Sequence, residues 1–140
     1  MLSSGGKKIT MNDFIKVVLI VSILLTSIIG SGIYTNSILA RDSNLMEERI
    51  TQMENHLKGG DWQSAEKELV YVKEYWSKKQ GNWAVLQSHF EIDNIDASFT
   101  KVTEFINSKE LSLALAESAL LKQFIMHIPK NVSFSLENIL

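Results

Sequence analysis

The sequence contains no cysteine and only one proline among its 140 residues. The absence of cysteine excludes disulfides, thiol catalysis, thiolate zinc sites, iron–sulfur clusters and lipid attachment through a lipobox cysteine. Basic clusters are also scarce: after residue 40 the nearest thing to a basic run is Lys78-Lys79, and the formal net charge is −2. Because phosphate binding needs a clustered basic face, nucleic acid is not an expected partner.

Signatures of catalysis and of strands are missing as well. The sequence has no nucleophile-elbow serine, Gly-rich phosphate loop or paired catalytic carboxylates. No window alternates with period two for long enough to form a strand. The histidines, His56, His89 and His127, are scattered along the chain. We therefore expect an all-α protein that is not an enzyme, with no catalytic, cofactor-binding or metal residues.

A long apolar run near the N-terminus is the strongest feature that is present. Residues 17–33 read VVLIVSILLTSIIGSGI, and no charged residue interrupts positions 17–40. Roughly 20 apolar residues of helix cross a bilayer. The hydroxyl side chains within the run, Ser22, Thr26, Ser27 and Ser31, can bond to the preceding turn of backbone. The run predicts a transmembrane signal anchor at residues 14–40, an N-terminal tail at 1–13 and a helical domain at 41–140.

Flanking charges predict the orientation of the anchor. Lysines precede its uncharged stretch at positions 7, 8 and 16, and arginines follow it at positions 41 and 49. This excess places the N-terminus in the cytoplasm and the domain outside the cell membrane. Two alternatives stay open. Gly30-Ser31-Gly32 resembles a signal-peptide cleavage site, and Ser27 with Ser31 is a weak signal for self-association.

After residue 40 the apolar residues follow helical spacing. The stripe Met46, Ile50, Met53 and Leu57 ends at Gly59-Gly60, and Asp61 is placed to cap the next helix. That second helix carries Trp62, Ala65, Leu69, Val72 and Trp76, and Gly81 is expected to close it. Asn82 is expected to cap a third helix at about 83–107. A fourth is expected at about 109–128, where Pro129 would end it.

The two halves of this domain resemble each other when the sequence is shifted by 49 positions. In that register Asp61 aligns with Glu110, Ala65 with Ala114 and Glu68 with Glu117. Each copy is a helix, a short polar turn and a helix with an early alanine, as in tetratricopeptide-like hairpins. Any two amphipathic hairpins would also align this way. Both interpretations predict a short antiparallel helical bundle.

The densest polar cluster, HFEIDNID, occupies residues 89–96. His89 and Asp93 are one helical turn apart, and Asp93 and Asp96 are neighbours at i, i+3. This spacing allows a metal or small-ligand sensor site. The structural interpretation is that Asp93 and Asn94 interrupt an apolar stripe of Trp83, Leu86, Phe90 and Ala97. They would then be partly buried and act as a polar clasp. A second apolar face (Ile92, Ile95, Phe99, Val102, Ile106) would make this the central helix of the stack.

Two further expectations concern aromatic residues and the C-terminus. Trp62, Trp76 and Trp83 are expected in the core, with an aromatic platform for a glycan or lipid as the alternative. After Pro129 the tail keeps Phe134, Leu136, Ile139 and Leu140. Because these apolar residues are unlikely to stay in water, we expect the tail to fold back onto the bundle.

Several motifs in the C-terminal half resemble a known bacterial family, domain of unknown function 4363. They are Trp83…Leu86…HFEIDNID at 89–96, SLALAE at 112–117, Leu121-Lys122, His-Ile-Pro at 127–129 and SLENIL at 135–140. The resemblance implies an N-terminal membrane segment, a helical domain and a Gram-positive, spore-forming type of host. It implies no activity. Together these patterns favour a membrane-tethered interaction module of the cell envelope that binds a protein or itself. A ligand or metal sensor using His89, Asp93 and Asp96 is the alternative.

Overall fold

The computed structural model describes the backbone of residues 11–84 and 89–137 and the side chains of residues 12–84 and 89–129. This part of the chain contains four α-helices and no strand, which confirms the all-α prediction. The chain divides into two compact units, Met1–Thr35 and Asn36–Leu140. The helices are α1 (Met11–Lys58), α2 (Trp62–Ala84), α3 (His89–Asn107) and α4 (Leu111–Glu137).

The described part of the first unit is the N-terminal stretch of α1. Its apolar side chains are exposed from Phe14 to Tyr34. The helix over Asn12–Lys58 is long and apolar enough to cross a membrane, with a mean hydropathy of 2.3 in its most apolar window. As predicted, hydroxyl groups bond to the preceding turn: Thr26 Oγ1 donates to the Ser22 carbonyl and Ser31 Oγ to the Ile28 carbonyl. This composition indicates membrane association.

The second unit is an antiparallel bundle in which each helix contacts the next and α4 contacts the unit's part of α1. α1 and α2 run antiparallel, since Asp42 contacts Tyr75 and Arg49 contacts Glu68. A polar side-chain contact joins the two helices at each helix–helix interface. These contacts are Arg49–Glu68 between α1 and α2, Trp76–Asp96 between α2 and α3, Ser98–Glu117 between α3 and α4, and Glu54–Lys122 between α4 and α1.

The bundle core is formed by the helical stripes that the sequence predicts. Trp76 and Trp83 are buried and meet edge to face with ring centroids 5.3 Å apart, while Trp62 packs at the margin of the core. These positions confirm the expected core tryptophans. The aliphatic and phenylalanine core residues include Met46, Ile50, Met53, Leu57, Leu69, Val72, Ile92, Ile95, Phe99, Val102, Ile106, Leu121, Ile125 and Ile128. The helix over Leu111–Pro129 is also long and apolar enough to cross a membrane, with a mean hydropathy of 1.2, and it supplies Leu121 and Ile125 to the core.

The two turns that join α1 to α2 and α3 to α4 have the same backbone structure. Gly60 has φ 76° and Lys109, which is 49 positions later, has φ 57°. The four turn hydrogen bonds also correspond one to one, from the Gly59 N–H to the Asn55 carbonyl and from the Ser108 N–H to the Glu104 carbonyl onward. The shifted similarity of the sequence is therefore present in the backbone.

Buried side chains extend this correspondence. Ala65 and Ala114 are both fully buried at the start of the second helix of their half. Glu68 accepts from Arg49, and its equivalent Glu117 accepts from Ser98, which occupies the position of Arg49. The two halves thus use a carboxylate at the same place to join their helices. The tetratricopeptide-like interpretation itself remains a prediction.

The predicted boundary between the second and third helices is wrong. Gly81 does not end α2, which continues to Ala84, and α3 begins at His89 rather than at residue 83. A glycine inside a helix costs only about 1 kcal/mol relative to alanine. Trp83 lies seven residues after Trp76 on the same face, so its burial stabilises the additional helical residues beyond Gly81. Leu86, a member of the expected stripe, lies outside the described residues.

The predicted end of the fourth helix at Pro129 is also wrong, since α4 continues to Glu137. Proline has no N–H to donate to the carbonyl four residues earlier. Here that carbonyl belongs to Ile125, and Ser43 Oγ on α1 donates to it over 3.0 Å. The bundle therefore supplies the missing donor. The helical backbone to Glu137 contradicts a tail that turns back at Pro129, and the tail's apolar side chains lie outside the described residues.

Candidate functional site

The predicted polar cluster occupies the first two turns of α3, but its members do not converge. His89 and Asp93 are exposed and Asn94 is half-buried. Asp96 is exposed at the helix surface, yet its Oδ1 accepts a hydrogen bond from Trp76 Nε1 over 2.6 Å. The expectation that Asp93 is partly buried is therefore wrong. Asp96 is the carboxylate that binds an indole N–H of the core.

The burial of Asp93 was predicted wrongly because the boundary between α2 and α3 was predicted wrongly. Because Trp83 belongs to α2, it does not share a face with Phe90 and Ala97, and both of these are exposed. The buried face of α3 is the expected second face that contains Ile92, Ile95 and Phe99. In the described ranges 12–84 and 89–129, no group of three His, Cys, Asp or Glu side chains is placed to hold a metal ion.

A small groove lies between α3 and α4 beside this cluster. Its volume is about 280 Å³. Phe90, whose side chain is 73% exposed, is the most exposed large apolar residue among the described residues of this unit. The groove is lined by Phe90, Glu91 and Asn94 of α3 and by Gln123, Phe124 and His127 of α4.

The lining of the groove combines two aromatic rings with two side-chain amides. Phe90 and Phe124 provide apolar surface, and Asn94 and Gln123 stand on opposite helices. Each amide can donate two hydrogen bonds and accept two. Asn94 is half-buried and Gln123 is exposed. The groove can therefore hold an apolar group and bond the polar groups beside it.

A second polar site, on the seam between α1 and α2, is centred on Asp42. Its side chain is only 1% exposed. The hydroxyl of Tyr75 donates to Oδ1 over 2.8 Å, and Lys79 Nζ lies 3.0 Å from Oδ2. Arg41 Nη2 is 3.7 Å from Oδ1. A buried carboxylate needs such partners, because burying an unpaired charge is costly.

Residues 33–139 match the family described as Domain of unknown function (DUF4363). The chain belongs to the DUF4363 family. The resemblance predicted from the C-terminal motifs is thus confirmed, and the match includes both the groove and Asp42. No curated protein matches the chain, and no solved structure matches it.

Within this DUF4363 domain, burial, the hydrogen bond to Asp42 and the negative charge of that carboxylate together raise the pKa of Tyr75 to about 12. The neutral phenol is the form that can donate to the carboxylate, so the site favours it. Asp61, at the other end of α2, behaves in the opposite way. Hydrogen bonds from Ser64 lower the pKa of this capping carboxyl.

Tyr75 also belongs to an aromatic row on the surface of α2. Its ring stacks on Tyr71 with centroids 6.5 Å apart. Arg49 lies 4.5 Å above the Tyr71 ring and Lys79 lies 5.4 Å from the Tyr75 ring. Since Arg49 and Lys79 pair with carboxylates on α1 and α2, this row joins the two helices.

Sequence reasoning missed Asp42, Tyr75 and Gln123. The sequence did contain a signal for Asp42. Leu39 and Ser43 extend the apolar stripe that begins at Met46 toward the N-terminus of α1, at helical spacing. That extension places Asp42 beside the buried face. Gln123 carried no such signal, since its role depends on which residues of α3 lie opposite it.

Proposed function

We propose that this protein is a non-enzymatic, membrane-tethered helical interaction module of the bacterial cell envelope, which binds a protein partner through the groove between α3 and α4. The exposed ring of Phe90 carries this proposal. This side chain is 73% exposed, and aromatic residues are enriched at protein interfaces.

The membrane part of the proposal rests on the composition of α1. Its apolar stretch serves as an uncleaved signal anchor, and the lysines at positions 7, 8 and 16 hold the N-terminus in the cytoplasm. The DUF4363 domain then acts outside the membrane. Protease treatment of whole cells tests this orientation: the domain is expected to be digested, and a protected domain would contradict the proposal.

The alternative, a metal or small-ligand sensor that uses His89, Asp93 and Asp96, is not favoured by a specific observation. Asp96 is engaged by the Trp76 indole over 2.6 Å. Self-association remains within the proposal, since a second copy is also a protein partner.

Crosslinking and co-purification of the full-length tagged protein from intact membranes test the interaction. We expect one partner, or a second copy of the chain, to be recovered in a fixed ratio after stringent washing. Recovery of the chain alone, with no crosslinked species, would contradict the proposal.

A further inference from the structure

We draw no further inference here: the strongest candidate, the groove between α3 and α4 that Phe90 and Phe124 line, belongs to the site already described, and nothing in the structure shows what covers it.

Discussion

Ser43 on α1 donates a hydrogen bond to the backbone carbonyl of Ile125 on α4, over 3.0 Å and out of contact with water. In an uninterrupted helix this carbonyl would accept from the N–H of residue 129, which is a proline here. Proline has no N–H. The hydroxyl group of one helix therefore replaces the missing amide of another, and this lets α4 continue past the proline.

Ser43→Ala is expected to destabilise the protein by about 1–3 kcal/mol, because it leaves a buried carbonyl without a donor. With Pro129→Ala the helical N–H returns, and in that background the same change is expected to cost clearly less. Ser118→Ala is the matched control. Ser118 is buried and bonds to the Ala114 carbonyl, but that carbonyl keeps its own helical donor. Denaturant unfolding of the four variants in detergent measures the coupling, and equal costs in both backgrounds would refute it.

Substitutions at the equivalent positions of the two turns, Lys109→Gly and Gly60→Ala, are expected to change the stability of the domain in opposite directions. Lys109 has a left-handed backbone with φ 57°, which costs a residue with a side chain roughly 1 kcal/mol. Lys109→Gly is therefore expected to stabilise the domain by up to about 1 kcal/mol. Gly60→Ala at the equivalent position is expected to destabilise it by a similar amount. Thermal melting of both variants checks this, and a loss of stability in Lys109→Gly would count against the equivalence of the turns.

The raised pKa of Tyr75 predicts that the folded protein loses stability at high pH. Its pKa is raised from 10.0 to about 12 in the folded protein, so the unfolded chain loses the phenol proton first as the pH rises. The stabilisation is fully present below pH 10 and is lost between about pH 10 and pH 12. Unfolding free energies measured across this window are expected to fall more steeply for the wild type than for Tyr75→Phe. Parallel curves would contradict the prediction, since lysines titrate in both proteins.

Lys79 is expected to stabilise the folded protein because it pairs with the buried carboxylate of Asp42. Lys79→Met leaves the buried Asp42 with less compensation, and losing one partner of a buried ion pair costs up to about 3 kcal/mol. Adding Asp42→Asn removes the charge and is expected to restore part of the stability. Lys78→Met, at the exposed neighbouring position, is expected to change stability by no more than about 0.5 kcal/mol. If Lys78→Met and Lys79→Met cost the same, the ion pair does not contribute as described.

The fold was predictable wherever a local rule acts on adjacent residues. The stripe from Met46 to Leu57 and the cap at Asp61 were both correct. The end of α2 was predicted wrongly because a glycine at position 81 is a local signal, while the burial of Trp83 against Trp76 is a tertiary one. Tertiary packing overrides local propensity when a large side chain gains a buried place.

The candidate site was predictable only in part for the same reason. The sequence pointed to the first turns of α3, and the groove does lie beside them. It could not indicate Gln123 or Phe124, because periodicity within one helix says nothing about which residues of another helix lie opposite. It also assigned the polar clasp to Asp93 and Asn94. Asp96 makes that contact instead, since only Asp96 faces the Trp76 indole.

The most direct test of the account compares partner recovery for two exposed apolar residues in the full-length protein. Phe90→Ala removes the groove's exposed ring, and Leu113→Ala removes a side chain that is 49% exposed on α4 outside the groove. Losing a covered phenylalanine is expected to weaken binding by about 2 kcal/mol, which is more than tenfold. The account predicts that Phe90→Ala abolishes co-purification of the partner from membranes while Leu113→Ala preserves it. Equal recovery with both variants, in proteins that melt at the wild-type temperature, would contradict it.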